Sequence, residues 1–152
     1  MRSRLLALLL CAGALVLACG PRAHSNEAAS NTTQHVTDSG AVLATSLNVS
    51  IGGGVQFAFH VTNNGEKGIE LRFPSSQTHD FVVLDSLGRE VWRWAGDRMF
   101  TSAMQTKMLG VRETMKVEED WDPAGKKGRF TVVAKLTSRN HPLEEQAEFA
   151  VP

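Results

Sequence analysis

Four residues with hydrolytic chemistry crowd one short stretch of this chain: Ser75, Ser76, His79 and Asp80. A serine, a histidine and a carboxylate are the parts of a nucleophilic triad, in which the ring takes the hydroxyl proton and the acid orients the ring. The spacing opposes that chemistry. Triads assemble from separate elements around an oxyanion hole, and residues one to five apart in an extended loop do not converge on one point. The sequence also has no Gly-x-Ser-x-Gly elbow to thrust a serine outward. Pro74 stiffens the stretch, and Ser75, Ser76 and Asp80 are residue types that bond neighbouring backbone N–H groups in turns. The stretch, which includes Gln77, is therefore read as a stiff connection and not as a catalytic centre.

Other reactive side chains are equally scattered. His24 and His35 lie in a polar N-terminal region, His60 on the polar side of an alternating run, and His79 and His141 in separate loops. None has a second ligand at a spacing such as His-x-x-x-His, so no metal site is predicted and no cofactor is implied. Gly52, Gly53 and Gly54 lack the Lys-Ser/Thr pair and the helix of a phosphate loop; they break a strand.

The two cysteines are Cys11 and Cys19. Arg2 and Arg4 precede an apolar run at residues 5–17 that is too short for a mature membrane span. Val16-Leu17-Ala18-Cys19 then has the form of a bacterial lipobox, with Cys19 acylated as the first mature residue; an ordinary secretory signal is the alternative. On this reading residues 1–18 are a lipoprotein signal peptide. Cys11 is lost with it, and no free thiol or disulfide remains. Residues 19–40, rich in Ala, Ser, Asn and Thr, form a lipid-anchored flexible tether with a reach of roughly 25 Å. The expected location is the cell envelope, as an exported, membrane-anchored lipoprotein. Gly20 in place of an aspartate favours the outer membrane if two membranes are present.

Charge excludes one class of partner. The 16 basic and 16 acidic residues balance, and no basic patch is interleaved with aromatics, so nucleic acid is not a partner.

The elements that must position any site are strands. Val55, Phe57, Phe59 and Val61 alternate with Gln56, Ala58, His60 and Thr62, the cleanest period-two run in the chain. Leu43, Thr45, Leu47, Val49 and Ile51 share one face of a strand before it. Asn63-Asn64-Gly65 predicts a hairpin turn into a return strand with Ile69, Leu71 and Phe73, which Pro74 stops. A compact strand at residues 81–85, a turn ending at Gly88 and a strand at residues 90–94 follow. Residues 97–109 fit neither period and read as a loop with at most one helical turn. Further strands carry Met115, Val117 and Trp121, then Phe130, Val132, Ala134 and Leu136, then Ala147, Phe149 and Val151. Seven or eight strands with regular turns predict an all-β fold, an immunoglobulin-like antiparallel β-sandwich over residues 41–152.

Trp92 and Trp94 lie two apart and share a sheet face. They serve either as an exposed anchor for a partner or as rings covering one end of the core, against Trp121 and Phe100. Packing is the favoured reading, since large rings fill a sandwich that lacks a disulfide. Arg93 faces the other way and is read as solvated or stacked. Binding residues concentrate on loops carried by a rigid scaffold. The candidates are residues 74–80, with Pro74, Ser75, Ser76, Gln77, His79 and Asp80, and residues 95–110, with Arg98 and Met99.

Several unusual positions also agree in order with one family. FAFHVTNN at residues 57–64 is followed by FPSSQTHDFVVLDSLGREVWRWAGDRMF at residues 73–100, and then by Trp121. This succession resembles the BsuPI-like intracellular proteinase inhibitors, over residues 55–121. The resemblance implies a β-sandwich that inhibits a peptidase. A stiff, exposed segment that fills a protease cleft gains affinity from preorganisation, a role that suits Pro74 and the turn residues near it. The export signal departs from the family's intracellular character and would place the target protease outside the cytoplasm. The leading expectation is thus a non-catalytic, lipid-anchored domain that binds a protease. The second is an envelope adaptor that docks another protein without inhibition; the third and weakest is a hydrolase.

Overall fold

Alternation builds the first sheet. The computed structural model describes the backbone of residues 33–37 and residues 42–152, and within it strand β3 (Val55–Asn63) buries every second residue from Val55 to Asn63. Strand β2 (Leu43–Ile51) pairs antiparallel with β3, Leu47 opposite Phe59 and Val49 opposite Phe57. On the other side of β3 runs β8 (Thr114–Trp121), Trp121 opposite Val55 and Met115 opposite Val61. Strand β1 (Thr33–Thr37) lies along the outer edge of β2, which gives the order β1-β2-β3-β8.

The second sheet is built around a strand with no solvent face. In β5 (His79–Asp85) Asp80, Phe81, Val82 and Val83 are all buried, the near-continuous pattern of a central strand. It lies between β9 (Gly128–Leu136) and β6 (Glu90–Arg93), with β10 (Leu143–Val151) outside β9. The β5–β6 turn is set by Asp85. Its Oδ1 accepts the N–H groups of Leu87 and Arg89, at 2.9 and 3.0 Å, and its carbonyl accepts the N–H of Gly88 at 2.9 Å. Gly88 takes φ +75°, a left-handed value that a β-carbon would strain.

Rings from both sheets meet between them. Phe57 packs on Phe81 at 5.8 Å, Phe149 at 5.6 Å and Trp92 at 6.1 Å between centroids. Trp121 closes one end against Phe130 and Phe149. Each buried phenylalanine contributes about 1.5–3 kcal/mol relative to exposure, so this cluster holds the sheets together. A 2.6 Å hydrogen bond from the buried Thr45 hydroxyl on β2 to Glu145 on β10 joins the sheets. The fold is the all-β antiparallel sandwich that the patterning predicts.

Three features differ from expectation. Among the described residues there are ten strands rather than seven or eight. One extra strand, β7 (Gln105–Leu109), occupies the region read as a loop; only Leu109 in it is buried, so it carries no period-two signal. It pairs with β4 (Ile69–Phe73) in a separate two-stranded ribbon. The other is β1, which falls in the stretch read as a flexible tether and covers the exposed edge of β2. Residues 1–32, with the signal segment and Cys19, lie outside the described residues.

The third difference is at Asn63-Asn64-Gly65, which does not close a hairpin: β4 pairs with β7 and not with β3. Asn63 is fully buried, and its amide joins the ribbon to the sandwich. Nδ2 donates to the carbonyls of Lys67, Leu109 and Gly110 at 2.8, 3.1 and 2.9 Å, while Oδ1 accepts the Gly65 N–H at 2.9 Å. One end of the ribbon, where β4 begins and β7 finishes, is tied to this one side chain.

Candidate protein-binding site

The site grows outward from the core along a line of rings. Phe81 on β5 meets His79 edge-on at 5.9 Å, and His79 lies 4.0 Å from Trp94, which follows β6. Trp94 in turn packs against Phe100 at 5.6 Å, and the Arg98 guanidinium sits 4.4 Å above its indole ring, a cation–π arrangement. The Trp94 Nε1 is buried without a hydrogen-bond partner among the described residues, so stacking holds this ring in place.

Glu119 completes the cluster from the opposite sheet. It stands opposite Phe57 in the β3–β8 register, in phase with Met115 and Trp121, which are buried. With the ring proton on Nε2, His79 donates to Glu119 Oε1 at 3.1 Å and accepts from the Thr78 hydroxyl at 3.1 Å on Nδ1. Arg98 approaches the other Glu119 oxygen at 3.8 Å. Burial lowers the pKa of His79 below its ordinary 6.5, opposed by the hydrogen bond and charge of Glu119.

Asp80 and Arg93 form the second brace. Asp80 is buried; its Oδ2 accepts from Arg93 Nη1 at 2.7 Å and its Oδ1 from the Ala95 N–H at 3.1 Å. Arg93 also holds Glu90 at 2.7 Å, and the two carboxylates raise the pKa of its guanidinium further. Arg93 is exposed, in keeping with the solvated reading, and it also clamps the point where the chain leaves β6.

The structure brings the two candidate loops together. The Ser76 N–H donates to the Thr101 carbonyl at 3.0 Å, and the Thr101 N–H donates to Ser76 Oγ at 2.9 Å. Ser75 Oγ accepts the Gln77 N–H at 3.1 Å, and the Thr137 hydroxyl donates to the Gln77 carbonyl at 2.6 Å. Residues 75–79 are accordingly half-buried and serve as a support. Residues 101–108 are exposed throughout, as are Asp97, Arg98 and Met99. The exposed segment leaves β6 through a turn in which the Gly96 N–H bonds the Arg93 carbonyl at 3.1 Å and the Arg98 N–H bonds the Ala95 carbonyl at 3.3 Å.

The serines, the histidine and the aspartate do not converge. Each serine hydroxyl takes a backbone N–H, the imidazole is engaged with Thr78 and Glu119, and Asp80 is held by Arg93 and Ala95. Trp92 lies half-buried on Phe57, and Trp121 lies in the core with Phe130 and Phe149. Glu119 is the member of the site that sequence reasoning passed over, while Thr101 lies within the candidate stretch 95–110 without a residue type that marks its contact. For Glu119 a signal existed, a carboxylate standing in the core phase of β8; for Thr101, whose contact is through its backbone, there was none.

No curated protein matches the chain. Among solved structures, the GAE domain of yeast GGA1 aligns at 8% identity and TM-score 0.29, over 79% of this chain and 99% of that one. The GAE domain of GGA2p from Saccharomyces cerevisiae aligns at 10% identity and TM-score 0.27, over 79% and 98%. Neither likeness bears on what this chain binds. The family described as BsuPI, intracellular proteinase inhibitor, matches residues 43–141. That description corrects the localisation read from the N-terminus: an intracellular family conflicts with an exported lipoprotein of the cell envelope, and with a target outside the cytoplasm. With residues 43–141 of its 152 residues matched, the chain belongs to the BsuPI intracellular proteinase inhibitor family.

Proposed function

We propose that this domain is a non-catalytic inhibitor of a proteinase, and that the exposed segment after β6 is the part that enters the protease cleft. One observation carries the reading: a segment with an exposed middle is fixed on both sides, by Arg98 on Trp94 and by the paired bonds between Thr101 and Ser76. Rigid presentation lowers the ordering cost of association, which is how a small exposed loop gains affinity. The test is inhibition by the full chain of a panel of serine, cysteine and metalloproteases. Inhibition at or below micromolar concentration supports the reading, and its absence across the panel removes it.

A second reading, docking of a partner without inhibition, is favoured by the ribbon. The outer edge of β4 is closed by the β9–β10 connection: the Arg139 N–H bonds the Arg72 carbonyl at 2.7 Å, and Asn140 bonds Arg72 N–H and the Glu70 carbonyl at 2.9 and 2.6 Å. The outer edge of β7 has no strand partner among the described residues. An extended peptide can add there through main-chain hydrogen bonds. Crosslinks that map to Thr106 and Met108, with protease inhibition absent, would select this reading.

A further inference from the structure

We infer that Met99 is the residue that fills the partner's specificity pocket, and that the target is therefore an endoprotease with a deep apolar pocket; the inference rests on the inhibitor reading. Arg98 and Phe100 both pack on Trp94. The side chain between them is directed away from the body of the domain, and Met99 is 100% exposed. Its outward direction follows from the anchoring of both neighbours.

The other exposed apolar residues lack this setting. Leu87, 75% exposed, sits in the tight Asp85–Gly88 turn, whose backbone cannot extend along a cleft. Met104, also 75% exposed, is three residues beyond the Thr101 brace, and no ring contact fixes its neighbours among the described residues. Val42, Val111 and Met108, the last on β7, lie outside the braced segment. Arg98, the charged competitor beside Met99, is committed to Trp94 and Glu119.

Methionine suits an apolar pocket by its chemistry. It is long, unbranched and polarizable, so it fills irregular apolar space, and a pocket with an acid at its base would leave that acid unpaired. Protease pockets divide along this line, an apolar slot in chymotrypsin and an aspartate in trypsin.

The experiment measures Ki of the full chain and its variants against chymotrypsin, trypsin and the wider panel. Because Met99 has no buried contact to lose, each variant should melt with the wild type, which keeps folding apart from binding. Against the protease that wild type inhibits best, Met99→Asp is expected to weaken inhibition by about 100-fold, the scale of a binding hot spot. Met99→Leu should stay within about fivefold, and Met99→Lys should shift inhibition toward trypsin. An unchanged Ki for Met99→Asp overturns the assignment while the inhibitor reading stands. Trypsin inhibition that survives Met99→Asp but is lost in Arg98→Ala also overturns it, moving the pocket residue to Arg98. A wild-type chain that inhibits nothing removes both.

Discussion

Replacing Asn63 by alanine should uncouple the β4–β7 ribbon from the sandwich. The side chain is fully buried and makes four hydrogen bonds, three from Nδ2 to the carbonyls of Lys67, Leu109 and Gly110 and one to Oδ1 from the Gly65 N–H. Each such bond contributes about 1 kcal/mol net, and a carbonyl left buried without a donor costs about 1–3 kcal/mol more. The Nδ2 protons are shared among three acceptors, so the terms do not simply add; a loss of about 3–4 kcal/mol is expected. Against a total stability of about 5–15 kcal/mol for a domain, that is a large fraction. Urea unfolding followed by tryptophan fluorescence would show the midpoint falling by about 2 M, for a slope near 1.5–2 kcal/mol per molar. Asn63→Asp should be at least as damaging, since it keeps the acceptor for Gly65 but sets a carboxylate against three carbonyls. A midpoint shift below about 0.5 M for alanine, or an aspartate variant as stable as wild type, would refute the account of Asn63 as the joint.

Three further outcomes are expected. Trp92→Ala should destabilise the domain by about 3 kcal/mol, the lower end for large aromatic truncations because Trp92 is only half-buried on Phe57; an unchanged melting temperature would place the ring outside the core. Ser76→Ala removes the acceptor for the Thr101 N–H but keeps the reverse bond, so stability should change by about 1 kcal/mol while inhibition weakens several-fold; an unchanged Ki would show that this brace does not position the segment. The native pKa of His79 lies below 6.5, so between 6.5 and that lower value the unfolded chain binds a proton the native state resists. Stability should therefore be fully present above that window, decline as pH falls through it and level off beneath; urea midpoints measured across it should lose the step in His79→Gln.

Much of the sandwich is legible in the chain because burial and alternation coincide there. Phe57, Phe59 and Val61 on β3, and Phe130, Val132 and Ala134 on β9, show their core face as a simple period of two. That signal fails where a strand has no buried face. β7 exposes Gln105, Thr106, Lys107 and Met108, and its identity comes from main-chain pairing with β4, which side-chain patterning does not encode. The same limit misplaced Asn63: Asn-Asn-Gly is a hairpin signal in isolation, yet here the amide serves carbonyls more than forty residues away. At the site, the Ser-x-x-His-Asp crowd is visible but its chemistry is not, since each polar atom is turned toward a different partner. The link between Ser76 and Thr101 spans 25 residues and involves backbone atoms, which no residue type announces. The N-terminal lipobox pattern shows the opposite hazard, a clear local motif whose implication for location the family description overturns.

The row of rings from Phe57 through Phe81, His79 and Trp94 to Phe100 has one more consequence. Should a protease cut the bond between Met99 and Phe100, neither new end would depart. The upstream stump stays pinned by the guanidinium of Arg98 on Trp94, and the downstream stump by Phe100 on the same indole and by Thr101 on Ser76. With a serine or cysteine protease the freed Phe100 amine would stay beside the Met99 acyl-enzyme, so its attack, which re-forms the peptide bond and expels the enzyme's nucleophile, competes with hydrolysis and release.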